Sequence, residues 1–367
     1  MKSYRVFLIV LAALVVLAGV DALAAPKSPR APKVSHTARQ TRPIQLGTSG
    51  GSVVDIANRY CCSGTLGSLV VDAAGNQYIL SNTHVFAGDI VEGGDGVMSR
   101  VNDPINQPGL VDVSCAPIAA DYVADLADWA EIVEGGYSTV DAAVALVRPG
   151  MVDTAGSILE IGTISAQPRA AFLRQQVKKS GRTSGLTTGK VAGLNATISV
   201  WYSDECAGTD YVSTFTGQIL VTPGGSFLKA GDSGSLMVEN VGTNPRPLGL
   251  LYAGSSTVAI ANPIQAVLDE FGVTMVGVGT AGGASTAGDS GLPPGLAKAS
   301  SVKERNSLRL LSLKGAVGHA VGLSKDGAKP VILLLVEQAT PAVVEQAPKE
   351  IEGVAVEVME VGVVKAL

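Results

Sequence analysis

From residue 47 to residue 272 the chain is a train of short β-rich runs, each ended by Gly, Asn or Asp. Residues 64–71, the Ala-Ala-Gly-Asn turn at 73–76 and residues 78–81 read as a hairpin. Strand-like runs recur at 142–147, 176–179, 189–192, 197–202, 218–221, 235–238 and 248–252. That spacing predicts an all-β sandwich or barrel instead of βαβ units. Two helical stretches are expected beside the strands. One is an insertion at 120–134; the other is 263–271, where Ile264, Val267, Leu268 and Phe271 share a face.

The 367 residues include 44 glycines, with 4% aromatic and 16% charged residues and a net charge of −5. No basic block is present, so no nucleic-acid partner is indicated. Residues 1–24 read as a signal peptide: Lys2 and Arg5 precede an apolar run, and Ala22-Leu23-Ala24 offers small residues for cleavage. The run is shorter than the ~20 residues of a spanning helix. A secreted or periplasmic protein is therefore expected, with no stable membrane insertion after cleavage. Basic, proline-bearing residues 25–46 are expected to be a disordered leader or pro-segment. A main domain at 47–275 follows. Residues 276–301, rich in Gly, Ala, Ser and Pro, read as a linker. Residues 302–367 then read as a small α+β module of marginal size, either a stabilising cap or adaptor, or an inhibitory or targeting appendage. Four cysteines in an exported chain favour disulfides. Adjacent Cys61 and Cys62 rarely reach bonding geometry. One is left to pair with Cys115 and the other with Cys206, in either order.

The chemistry centres on residues 224–238, GGSFLKAGDSGSLMV. Glycines around Ser233 let the backbone turn sharply and let N–H groups gather beside the hydroxyl. Acyl transfer needs a nucleophile beside donors for a developing oxyanion. His84 follows a strand-like run, and Asp141 opens another, where a partly buried carboxylate requires a donor. A histidine N–H would satisfy it and leave the second ring nitrogen to take a serine proton.

The segments CSGTLGSLV, YILSNTHVF, VDAAVALV, KAGDSGSLMV and PLGLLYAG together resemble the sequence blocks of chymotrypsin-like serine proteases of bacterial type. They stand in that family's order of His, Asp and Ser. The resemblance implies two six-stranded antiparallel β-barrels with the active site between them, and serine-type hydrolysis of protein or peptide substrates. It implies His84 as general base, Asp141 as its orienter, Ser233 as nucleophile, and the N–H groups of Gly231 and Ser233 as the oxyanion hole. Phe227 would floor the primary pocket and Tyr252 and Gly254 would line it. The absence of an acid at that floor excludes a trypsin-type preference and leaves a hydrophobic or small residue. No Ile-Val-Gly-Gly-like terminus precedes the first barrel, so Asp232 is expected to pair elsewhere or to cap its turn. No cofactor and no metal are implied, since histidines are few and no Cys/His cluster has ligand spacing. Ala-Gly-Asp-Ser-Gly recurs around Ser290, but Leu-Pro-Pro-Gly follows there, and proline lacks the donor a strand needs. An alternative from another class is a catalytically inactive binding module on the same scaffold.

Overall fold

Residues 64–71 form one apolar run bent at Gly67 into two strands, Gly64–Leu66 and Ser68–Val71. Only glycine fits at the bend, because a Cβ there would lie 1.9 Å from the Gly234 carbonyl oxygen. The computed structural model describes residues 34–57, 60–88, 99–203, 210–279 and 295–367. Ser68–Val71 pairs with Gln77–Ser81, and antiparallel pairing continues through Ala143–Val147, Tyr122–Trp129, Pro104–Asn106 and Thr48–Ser52. Thr48–Ser52 then returns to Gly64–Leu66. Both ends of the path belong to the same bent run, so the sheet curls into a six-stranded barrel. Leu66, Leu69, Ile79, Leu80, Ile105 and Val144 fill it.

The second barrel closes through backbone pairs alone. Thr187–Tyr202 pairs with Gln176–Lys179, and the ladder runs on through Leu236–Glu239, Pro247–Gly254, Ala259–Pro263 and Tyr211–Thr222. Tyr211–Thr222 pairs back onto Thr187–Tyr202. The architecture is thus all-β, two six-stranded antiparallel barrels, as the strand spacing and the resemblance predict. The helix expected at 263–271 is present as Ile264–Phe271, with Ile264, Val267 and Leu268 buried.

Two expectations are corrected. Residues 120–134 hold no α-helix: Tyr122–Trp129 is a strand with Val123 and Leu126 buried. Its alanines favour a helix, but neighbours on both sides offer ladder partners, and tertiary pairing overrides that weak preference. Nor is the leader disordered over residues 34–46. His36 Nδ1 bonds the Gly47 carbonyl at 2.6 Å and Nε2 meets Glu160 at 2.8 Å. Arg39 forks onto the buried Asp121 with two bonds of 2.6 Å, while Ile44 and Leu46 enter the core. His36 and Arg39 thus each meet a carboxylate far along the chain.

Residues 1–24 (expected to be a signal peptide), Cys206, Ser290 and residues 280–294 of the expected linker 276–301 lie outside the described residues. The rest of that span is not a free linker: the Val276 and Val278 N–H groups donate to the Leu69 and Ile164 carbonyls, and a helix runs from Leu296 to Arg305. Cys61 is bonded to Cys115, with their Cα atoms 5.8 Å apart, and Cys62 is also disulfide-bonded.

The last residues build directly on the second barrel. Ala316–Leu323 pairs antiparallel with Thr187–Tyr202, Pro330–Val336 follows, and Val354–Glu360 lies parallel beside it. Helices Leu296–Arg305 and Ser307–Leu311 join a separate apolar cluster with these strands, through Leu296, Val302, Leu310, Ile332 and Leu334. Beyond Glu360 the chain turns back toward the barrels. Lys365–Ala366 inserts between Trp201 of one strand and Ala253-Gly254 of another.

Candidate active site

Gln77–Ser81 and Ala143–Val147 are paired neighbours, with Ser81 opposite Ala143. The residues just past Ser81 and just before Ala143 therefore emerge together, and they are His84 and Asp141. His84 Nδ1 lies 2.6 Å from Asp141 Oδ2. Asp141 has no exposed surface and also accepts a bond of 2.9 Å from the Tyr202 hydroxyl. Its backbone is pinned by two asparagines. Asp141 N–H donates to Asn262 Oδ1 at 3.1 Å, and its carbonyl accepts from Asn82 at 2.6 Å and Asn262 at 2.9 Å. The carboxylate is fixed before any substrate arrives, which is what an orienting group requires.

Burial disfavours the charged imidazole, but the charge and hydrogen bond of Asp141 outweigh it. Smaller help comes from the Leu367 carbonyl and from Asp55. The net effect raises His84 above its ordinary value. Burial, together with Asp141, pushes the Tyr202 hydroxyl well above the usual tyrosine range, so it stays a donor. His319 is different in kind. Burial, with Lys303 nearby, lowers it to about 4, and it bonds Ser307 inside the C-terminal cluster.

Ser233 sits in a turn where Gly231 and Gly234 take φ of 88° and 90°, values that side-chain-bearing residues avoid. The Ala230 carbonyl is held by the Thr183 hydroxyl at 2.6 Å. In a planar trans peptide that turns the Gly231 N–H the opposite way. Neither the Gly231 nor the Ser233 N–H has a hydrogen-bond partner among the described residues. Asp232 both pairs and caps. It lies 3.0 Å from the Lys179 ammonium, each side chain fully buried, and accepts from the N–H groups of Lys229, Thr183 and Ser184. Burial lowers the Lys179 pKa, opposed by the charge of Asp232.

The two halves meet at one carbonyl. Tyr252 O accepts the Ser233 hydroxyl at 2.9 Å and the Leu367 N–H at 3.2 Å. The Leu367 carbonyl in turn faces His84 Nε2 at 3.5 Å. Ser233 is fully buried, and its hydroxyl points to Tyr252, not to His84. Phe227 is buried in an apolar cluster with Leu228, Met237 and Leu251, against which Leu367 packs. Gly254 also borders Leu367: a Cβ on it would come within 3.3 Å of the leucine Cδ1. Tyr252, expected as a lining residue, serves through its carbonyl; its ring packs on Phe215 with centroids 4.9 Å apart. A cavity of about 170 Å³ opens beside His84 and Leu367, with Asp55, Ser63 and Ala230 on its wall.

Lys179, Tyr202, Asn262 and the 364–367 segment are the parts that sequence reasoning missed. A lysine ending a strand carries no local sign of burial, and Tyr202, at the end of a second-barrel strand, meets Asp141 only through the folded arrangement, 61 residues away along the chain.

The sequence matches the Nal1 C-terminal domain family over residues 134–264. No curated protein matches the chain. Similar solved structures include a glutamic acid-specific serine protease, 18% identical, covering 63% of this chain and 100% of that one, with a TM-score of 0.43. Protease A of Thermobifida fusca is 18% identical, over 64% of this chain and 98% of its own, with a TM-score of 0.41. The Cellulomonas bogoriensis chymotrypsin is 19% identical, over 58% and 91%, with a TM-score of 0.36. The fold itself, two six-stranded antiparallel barrels, rests on the strand pairings given above.

Removing one partner of a buried ion pair strands the other charge, at a cost of about 3–5 kcal/mol. Lys179→Met is expected to lose that much in urea unfolding, and adding Asp232→Asn should recover part of it. A loss below about 1 kcal/mol, the range of a surface pair, contradicts the burial. His84 should titrate with a midpoint above about 6.5, read by NMR of its imidazole. Protonation below that midpoint occupies the nitrogen that a base needs free. A midpoint at or below 6.5 means Asp141 does not dominate its surroundings.

Proposed function

We propose that the protein is an exported serine endopeptidase that cuts peptide bonds through an acyl-enzyme intermediate. The observation that carries this reading is the bond of 2.6 Å between His84 Nδ1 and a wholly buried Asp141. That contact sets the imidazole tautomer and leaves Nε2 for a proton, and the turn that carries Ser233 offers two N–H groups with no partner among the described residues.

In the reaction the Ser233 hydroxyl leaves the Tyr252 carbonyl and turns to His84. Its oxygen attacks the substrate carbonyl carbon as its proton passes to Nε2. Asp141 stabilises the imidazolium, and the Gly231 and Ser233 N–H groups take the oxyanion. Collapse breaks the C–N bond, and the leaving amine takes the proton from His84. Water then repeats the sequence with the same base and frees the acid and Ser233. A signal peptide at 1–24 would deliver the chain to an oxidising compartment, in keeping with the Cys61–Cys115 bond. Residues 47–275 are the catalytic part in this reading, and 302–367 an addition to it.

The second reading, a catalytically inactive binding module, draws on the orientation of the Ser233 hydroxyl toward Tyr252. The two readings separate on turnover. His84→Ala and Ser233→Ala should each lower peptide hydrolysis by at least about 10³-fold while leaving the unfolding transition unchanged. Equal turnover by either variant and the parent rules the mechanism out.

A further inference from the structure

Residues 364–367 lie in the cleft as an extended peptide, held along both edges. On one side Trp201 N–H donates to the Val364 carbonyl at 2.9 Å, and Trp201 pairs with Lys365. On the other, Lys365 and Ala366 pair antiparallel with Gly254 and Ala253, and Leu367 N–H donates to Tyr252. An added strand whose main chain gives affinity and whose alternate side chains give selectivity is a common mode of peptide recognition. Each side chain here has a setting of its own. Leu367 packs against the Phe227 cluster, and the Lys365 ammonium sits 3.9 Å from the centre of the Trp201 ring. Val364, two per cent exposed, anchors the segment in the second barrel's aromatic core. Upstream, Ser255 and Thr257 hydroxyls hold the Val361 carbonyl at 2.5 and 3.1 Å. The residue whose carbonyl faces His84 is therefore Leu367, with Ala366 and Lys365 behind it.

We propose that residues 364–367 occupy the substrate groove as an internal pseudosubstrate, restraining the enzyme and displaying its preference for an aliphatic residue on the acyl side of the cut bond. The inference rests on the protease reading above. It accounts together for the aliphatic Leu367 against Phe227, the absence of exposed surface on Ser233, and the His84 ring facing the Leu367 carbonyl. A tethered segment acts at an effective concentration on the order of 1 mM. Even a peptide with a Kd of about 100 µM would then hold the groove about nine-tenths of the time at that concentration. Release should raise activity about tenfold.

The test uses the full chain carrying Leu367→Asp, which sets a charge against an apolar cluster, and a second chain ending at Val364. On a fluorogenic Val-Lys-Ala-Leu amide, kcat/KM should rise at least about tenfold for both variants, by the occupancy above. Free Val-Lys-Ala-Leu peptide should return them competitively to the parent rate. Active variants that match the parent rate overturn the inference and leave the protease reading standing. If no variant turns over any peptide, the protease reading falls, and anisotropy of labelled Val-Lys-Ala-Leu on the Leu367→Asp chain decides the groove. Saturable binding there upholds the occupancy; no binding overturns it as well.

Discussion

The buried pair of Lys179 and Asp232 fixes the turn on which the site is built. Lys179 ends the first strand of the second barrel, and Asp232 immediately precedes Ser233. An unpaired charge at either place would cost several kcal/mol. The turn can therefore fold only with Asp232 facing inward toward Lys179, and that pose fixes the neighbouring peptide planes. The N–H groups of Lys229, Thr183 and Ser184 converge on the same carboxylate. What the pair contributes is less net stability than a single geometry for Gly231, Ser233 and Gly234.

A second buried carboxylate performs the matching task in the other barrel. Asp141 is held by its backbone through Asn82 and Asn262 and by its side chain through His84 and Tyr202. Asn262 and Tyr202 come from the second barrel, so the carboxylate is also a joint between the two. His84 is thereby oriented by groups from both sides of the cleft. The Tyr252 carbonyl completes the link, since it receives both Ser233 and the strand that lies in the groove.

Much of this was legible locally. His84, Asp141 and Ser233 each stand beside a strand-like run or inside a glycine-rich turn, so short windows identified them. The strands at 176–179 and 248–252 were readable for the same reason. Residues 189–192 and 197–202 read as two strands because Gly193 and Asn195 interrupt the pattern; they are one strand, bulged where Asn195 takes φ of 48°. Tyr122–Trp129 was hidden by its alanines, and residues 34–46 by their charge. Arg39 and His36 find their carboxylate partners only because the fold brings up Asp121 and Glu160, which lie far along the chain. The 364–367 segment was the least readable part. Val-Lys-Ala-Leu has no motif, and its meaning lies in the cleft it enters.

The central claim is that Ser233 is an activated nucleophile lying beneath a segment of its own chain. Fluorophosphonate labelling followed by peptide mapping measures this directly. The predicted result is modification at Ser233 alone, slow in the parent, faster in Leu367→Asp and lost in His84→Ala. Modification at Ser290, or none at Ser233 once residues 364–367 are displaced, would contradict it.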